Sequence, residues 1–381
     1  MAARILFVFA SFILAYTWAG YPCLLWILKK LGFARRVPES IAGFRPSVTV
    51  LLTVHNEEKT IAERLANLQD TQYAGELRFL VVSDASTDAT DSLVETAAVA
   101  DPRIRLRRAD RLGKSGAQNL VLKEVDTDVV VLTDAESAFA PDFVAGIASH
   151  FADPHVGCAT GNLLLRGASG SVAESQGMYW EFEQFLRSLE SDLGFLCTAS
   201  GQCMAFRRSA FQPFEPIYGD DCVIPLDLAL AGFFTVFATN AVAYDSMPHT
   251  PSRELKTRIR MTNRNLLGTL SRPKLLNPFR HPGAALSLVS HKLLRWLTPL
   301  LALSWLASTV ILSSSGLIYV ACLCVQLAFI GWALAGWKSV SQGKECRFGT
   351  GQAYSFVLAN VGFALGLISA IRGNRITVYR S

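Results

Sequence analysis

Long uniformly apolar stretches at both ends of the chain enclose a middle in which apolar and polar positions alternate in short blocks. Ile5 to Leu28 is nearly uncharged and long enough, as a helix, to cross a hydrocarbon core of about 30 Å. Trp296–Leu312, Gly316–Trp337 and Ala353–Ile371 are three further stretches of this kind. In the middle, Val48-Thr-Val-Leu-Leu-Thr-Val54 is continuous, apolar and β-branched, the pattern of a strand buried on both faces. A polar break, His55-Asn56-Glu57-Glu58, follows, and then Ile61, Leu65 and Leu68 recur at helical spacing. Leu77–Ser83 reads as a second strand running into Asp84-Ala-Ser-Thr-Asp88. Ile104–Leu106 is a short third strand, and Asp128–Thr133 a fourth that runs into Asp134-Ala-Glu-Ser137. Leu275 to Arg295 mixes Leu, Phe and Trp with Lys, His and Arg, and is expected to lie as an amphipathic helix in a membrane interface.

The expected organisation is an anchor over 1–30, a basic linker over 31–45 and an α/β domain over 46–272. An interfacial segment over 273–295, a membrane region of about three helices over 296–371 and a basic tail over 372–381 complete it. Strands alternating with helices imply a parallel sheet, and such sheets bind ligands beyond the carboxyl ends of their strands. Three successive strands here end in acidic, hydroxyl-rich loops, so their polar groups converge on one edge.

Composition supports the membrane assignment. Apolar types make up 51% of the chain and charged types 18%, and the mean hydropathy is +0.30, which excludes intrinsic disorder. The formal charge of +5 is carried largely beside apolar runs, at Lys29, Lys30, Arg35, Arg36, Lys292, Arg295, Lys338 and Lys344. That is the placement of residues flanking membrane spans, not of a nucleic-acid surface. The cluster after the first span puts the middle of the chain in the cytoplasm, with the protein integral to the plasma (inner) membrane and the first span an uncleaved anchor. One crossing before the domain and three after it would leave the C-terminus outside, against the preference of Arg372, Arg375 and Arg380. The eight scattered cysteines form no zinc or disulfide framework and read as reduced, mostly buried thiols.

Two nucleotide folds are excluded by their glycines. The loop after Val54 has none, so no GxGxxG turn exists, and Gly113-Lys114-Ser115 lacks the first glycine of a P-loop because Arg108 stands there. Asp134-Ala-Glu136 is the most informative triplet. If extended, it points both carboxylates one way, and hard cations such as Mg²⁺ take one or two carboxylates plus substrate phosphates.

Five segments in order then resemble those of a membrane-bound family-2 glycosyltransferase with a GT-A fold, the cellulose-synthase-like and hyaluronan-synthase-like group. His55-Asn56-Glu57-Glu58 resembles its opening nucleotide-binding loop, and Asp84-Ala-Ser-Thr-Asp88 its D-G-S-T-D segment, whose first Asp contacts uracil. Arg111-Leu-Gly-Lys114-Ser-Gly-Ala-Gln-Asn119 resembles G-K-x-x-A-x-N, with Lys114 near the nucleotide. Asp134-Ala-Glu136 stands where D-x-D binds the metal–diphosphate, and Gly219-Asp220-Asp221 where the family places its catalytic Asp. The resemblance spans roughly residues 46 to 270. It implies a GT-A (Rossmann-like, mixed-sheet) domain, a nucleotide-sugar donor, most simply a UDP-sugar, inversion at the sugar, Mg²⁺ or Mn²⁺ on Asp134 and Glu136, and Asp221 as general base. The bland reading of Gly219-Asp220-Asp221 is a turn with an Asp capping the next helix. Gln202, in Ser200-Gly201-Gln202-Cys203, is either an acceptor contact or a turn residue, and His249 either reaches the metal or diphosphate or is incidental.

The Q-x-x-R-W segment of processive synthases is altered. Arg260 keeps the Arg, a fork suited to phosphate, but Thr257 replaces Gln and Met261 replaces Trp. Loss of the aromatic platform weakens the case for polymer synthesis, and four helices are few for a channel, so secretion would need a partner or a homo-oligomer. A glycan or lipid-linked acceptor is then as good a fit as a growing polysaccharide. Transfer to polyprenyl phosphate and a catalytically silent nucleotide-binding scaffold are the rival readings. The predicted spans hold no acid, Lys or Arg, which speaks against a transporter.

Overall fold

The structure, a computed structural model, describes residues 1–34, 43–166, 171–246, 250–347 and 349–376; Arg35, Arg36, His249 and Arg380 lie outside them. A long N-terminal helix, α1 (Ala2–Phe33), leads into the domain. Then come β1 (Val48–Val54), α2 (Ile61–Gln69), β2 (Leu77–Asp84), α3 (Thr90–Ala100), β3 (Ile104–Ala109), α4 (Gly113–Leu122) and β4 (Val129–Thr133). The second half holds β5 (Ala138–Phe139), α5 (Phe143–Ser149), β6 (Val156–Arg166), α6 (Ser171–Leu193), β7 (Met204–Arg207), α7 (Asp220–Leu230), β8 (Phe234–Ser246) and α8 (Pro251–Leu270). Three apolar helices close the chain: α9 (Pro282–Ser315), α10 (Leu317–Ser341) and α11 (Thr350–Ile371).

The eight strands form one mixed sheet in the order β3-β2-β1-β4-β7-β6-β8-β5. β3, β2, β1 and β4 are parallel, as the alternating pattern predicts; β7 then runs antiparallel to both β4 and β6. The uninterrupted apolar run of β1 is explained by burial on both sides. Val50 and Leu52 pack with Ile61, Leu65 and Leu68 of α2 on one face. Leu51 packs with Val121 of α4 and Val223 of α7 on the other. The carboxyl ends of β1, β2 and β4 therefore open side by side at one edge.

The helix expected to lie in the interface does otherwise. From Pro282 it is continuous with the following apolar helix, and His291 and Arg295 are buried. Their partners are carboxylates of α6: Glu183 accepts from Lys292 Nζ (2.9 Å), Arg295 Nη1 (2.6 Å) and His291 Nε2 (3.0 Å). Glu190 accepts from His291 Nδ1 (2.9 Å), Ser287 (2.8 Å) and Tyr21 of α1 (2.6 Å). Apolar–basic mixing marks a helix with one wet face; here the wet face is protein.

Among the described residues, four helices are long and apolar enough to cross a membrane, but they are not equivalent. In α11, 44% of the most apolar window is buried against protein, compared with 11% in α1 and α10. It lies along α8 through Gly362 and Gly366, where a Cβ would come within 2.6 Å of Arg258 Cβ and of Thr262 Cβ. Thr350 meets Gly336 near the end of α10, and the Asn374 carbonyl accepts from Asn263 of α8 (3.1 Å).

Candidate active site

The loops after β1 and β2 interlock. Asn56 adopts φ +56°, a left-handed conformation that Asn tolerates, and its Oδ1 accepts from the Thr87 amide (2.8 Å). His55 Nδ1 donates to the Asp84 carbonyl (2.9 Å), and the Glu57 amide donates to Thr90 Oγ1 (2.8 Å). Asp84 is buried, and its carboxylate takes the amides of Leu112 (2.6 Å) and Gly113 (2.9 Å), with Arg111 at 3.3 Å. The residue that the resemblance assigns to the nucleobase thus also holds the entry of α4, where Gly113 has φ +74°.

That entry delivers Lys114 to the centre of the site. Its ammonium lies 2.7 Å from Asp134 Oδ1 and 3.3 Å from Asp220 Oδ2, bridging the end of β4 to the head of α7. Burial alone would lower the Lys114 pKa, but Asp134 and Asp220 outweigh it and hold it above its ordinary value. Gln118 Nε2 donates to the same Asp220 oxygen (3.0 Å). Burial opposes the Asp220 charge, yet Lys114 and Arg264 hold its carboxyl below the usual range. Burial and the neighbouring Asp220 charge push Asp221 the other way, above it. Two adjacent carboxyls with opposed proton affinities supply one fixed charge and one proton acceptor.

Both aspartates lie in the first turn of α7, with Gly219 at the cap position and no side-chain capping bond, so the capping alternative does not describe them. Pro225 lies inside this helix and brings no N–H to the carbonyl four residues back, that of Asp221. The Ala199 amide takes that carbonyl instead (3.1 Å), stitching the Ser200-Gly201-Gln202-Cys203 turn to Asp221. A Cβ on Gly201 would lie 3.6 Å from both Asp221 Cβ and Lys114 Nζ. Gln202 Nε2 points away, to Asp245 Oδ2 (3.3 Å) at the end of β8.

Asp134-Ala-Glu136 is not extended. Ala135 and Glu136 form a turn, closed by the Ser137 amide on the Asp134 carbonyl (3.3 Å), so alternation along a strand does not aim the two carboxylates. Glu136 instead receives Arg253 of α8 at 2.9 and 3.1 Å. Burial raises the Glu57 carboxyl, and the charges of Glu136, Asp134 and Asp88 raise it further, a sign of surplus negative charge at this edge. No three His, Cys, Asp or Glu side chains among the described residues form a metal cluster. Asp134 and Glu136 are half-exposed and each is paired with a basic side chain, so a cation held there would displace these pairings and take most of its ligands from a diphosphate.

Sequence reasoning missed three arginines. Arg64 of α2 is buried beneath the site and donates to Thr133 Oγ1 (2.6 Å), one residue before Asp134. Arg253 faces Glu136, and Arg264 donates to Ser115 Oγ (2.9 Å) and to the Tyr218 carbonyl. Arg253, Arg260 and Arg264 fall within about 40° of one another around α8, at 100° per residue. Arg260 therefore belongs to the helix face that meets Glu136 at one end and the head of α7 at the other. The stripe is written in the helical spacing of the three residues and in no single motif. Met261 is turned from that face and exposed.

The family model of Glycosyl transferase family 2 matches residues 49–214. An N-acetylglucosaminyltransferase of Sinorhizobium fredii is 28% identical over 260 residues, 64% of this chain and 63% of that protein. The chain therefore spans about three-fifths of the length of this curated relative. An N-acetylglucosaminyltransferase of Bradyrhizobium elkanii is 37% identical over 123 residues, 31% of this chain and 67% of that protein. Among solved structures, a mannosyltransferase of Pyrobaculum calidifontis in complex with GDP-Man and Mn²⁺ superposes with a TM-score of 0.72 at 24% identity. The match covers 96% of this chain and 99% of that one, and shows a shared GT-A fold that includes the apolar helices. The chain belongs to glycosyltransferase family 2.

Proposed function

We propose that the protein is a membrane-embedded, metal-dependent, inverting glycosyltransferase that moves a hexosyl or N-acetylhexosaminyl group from a nucleotide-sugar to an acceptor hydroxyl. The observation that carries this reading is Lys114 bridging Asp134 and Asp220, with the more basic Asp221 beside them. Lys114 and the arginine face of α8 offer positive charge to a departing diphosphate. Asp221 takes the proton of the acceptor hydroxyl as its oxygen bonds to the anomeric carbon and the bond to the diphosphate breaks. Asp134 and Glu136 would hold Mg²⁺ or Mn²⁺, which supplies Lewis-acid stabilisation of the leaving group when bound.

The names of the curated relatives support an N-acetylglucosaminyl donor, and the place of Asp84 supports a uridine nucleotide. The site lies beside α6 and α8, which pack on the apolar helices, and this favours an acceptor presented at the membrane, lipid-linked or glycan. The plasma membrane, with the domain in the cytoplasm, is the setting that the basic flanks of the first span favour. The test is nucleoside-diphosphate release by detergent-purified protein from a panel of UDP-, GDP- and dTDP-sugars, with Mn²⁺ or Mg²⁺ and a membrane lipid extract. Release from one donor, abolished by chelator, by Asp134→Ala and by Asp221→Asn, is expected. Release that survives Asp221→Asn would remove Asp221 as the base; nucleotide binding without release from any donor would favour a silent scaffold.

A further inference from the structure

The buried charges between α6 and the entry of α9 do not end there. Arg187, one turn beyond Glu183 on α6, is 6% exposed, and its guanidinium faces two ways. Nε donates to Glu183 Oε1 (3.2 Å), the same oxygen that takes Lys292 Nζ. Nη1 donates to Ser200 Oγ (2.6 Å). Ser200 is held again through its amide on Thr160 Oγ1 (3.0 Å), and the preceding amide, that of Ala199, holds the Asp221 carbonyl (3.1 Å). A planar fork on a short path suits this link; a lysine's single ammonium cannot keep both directions.

We propose that Arg187 is a positioning residue for Asp221: through Ser200 it fixes the 200–203 turn against the head of α7, and through Glu183 it ties that turn to the point where α9 leaves the domain. The turn forms one wall of the site, because Gly201 lies against both Asp221 and Lys114. The hydrogen bonds of Arg187 go to Glu183 and Ser200 and to none of the groups assigned to the donor (Asp84, Lys114, Asp134 and Glu136), so its work is on the acceptor side. The inference rests on the reading of Asp221 as the base.

Ser200→Ala, Arg187→Met and Arg187→Lys in the full detergent-solubilised chain test it, by kcat and donor KM for nucleoside-diphosphate release and by UDP binding with Mn²⁺. Amide hydrogen exchange over residues 199–203 is followed in the same samples. Ser200→Ala and Arg187→Met should lower kcat by about 10- to 100-fold with donor KM and UDP affinity unchanged, as expected of a misplaced reacting group. Arg187→Lys should recover part of the loss, and exchange in the turn should quicken. An unchanged kcat in Ser200→Ala overturns the proposal, as does a parallel loss of UDP binding and turnover. If Arg187→Met does not fold, Ser200→Ala decides alone. If the wild-type protein turns over no donor, the transferase reading fails by itself; faster exchange of the turn in Ser200→Ala then supports the positioning role, and unchanged exchange overturns it.

Discussion

At the residue scale, the proposed chemistry rests on two aspartates that share a helix turn but not an environment. Asp220 faces Lys114 and Gln118, whereas Asp221 receives the charge of Asp220. A base must be deprotonated to act, and the Asp221 pKa is raised. Transfer should therefore fail as pH falls through a value above the ordinary aspartate pKa of about 3.9, and the acid limb of a kcat/KM profile should lie there. An acid limb at or below the ordinary value would assign the base elsewhere. Ala85 shows a different kind of local decision. It has φ +58°, in the loop where the resembling family segment carries Gly. A left-handed alanine costs about 1–2 kcal/mol, so Ala85→Gly should leave stability unchanged or raise it by up to about 1 kcal/mol in thermal unfolding, against the usual sign for glycine. Lys114, Asp134 and Asp221 were legible because their motifs are short and local. Arg64 and Arg264 were not, because each reaches the site from an element distant in sequence.

At the element scale, α6 and α8 couple the domain to the apolar helices by opposite means. The α6 link is ionic: Glu183 lies among His291, Lys292, Arg295 and Arg187, and its carboxyl is held well below the usual range because His291, Lys292 and Arg295 outweigh its burial. Removing one partner of a buried ion pair strands the others, so Glu183→Gln should cost about 3–5 kcal/mol in detergent unfolding. The sign for pH follows from the depressed pKa. The contribution is full above the ordinary glutamate value of about 4.3 and is lost as pH falls toward the folded one, a dependence that Glu183→Gln should flatten. The α8 link is steric, through the small residues Gly362 and Gly366 of α11. Gly366→Leu would drive side-chain atoms into Thr262 and should destabilise by about 1–3 kcal/mol or more, read as a lower unfolding temperature. The sequence marked 273–295 as amphipathic but not what its polar face meets, because periodicity reports that a face is polar without naming the partner.

At the scale of the whole molecule, the conflict between four apolar helices and a basic C-terminal segment has a structural answer. Phe7, near the start of α1, packs on Tyr319 at the start of α10 (5.1 Å), while Lys29 near the end of α1 pairs with Asp192 of the domain (2.6 Å). The start of α10 is therefore remote from the domain and its end returns to it. α11 begins there, at Thr350 against Gly336, and finishes at Asn374 beside Asn263 of α8. Arg372 and Arg375 thus stand on the domain's side, which agrees with their charge under the proposed cytoplasmic setting of the domain. A reporter fused after Ser381 should be accessible from the same side as one inserted at Asp126 in the exposed loop before β4. Labelling from opposite sides would mean that α11 leaves α8 and crosses.

The sequence by itself determined the strands of the parallel half-sheet, the apolar helices, and the order of the loops that carry His55, Asp84, Lys114, Asp134 and Asp221. All of these depend on near neighbours in the chain: β-branched runs, helical spacing, and polar breaks at strand ends. Only the tertiary structure decided that Asp134-Ala-Glu136 is a turn whose Glu136 meets Arg253, and that Pro225 passes the Asp221 carbonyl to Ala199. It alone decided that α11 lies on α8 and that the basic residues of α9 are sealed against α6. Each of these joins groups far apart in sequence, and such a contact forms only where the fold brings a charge or a vacant carbonyl to its complement.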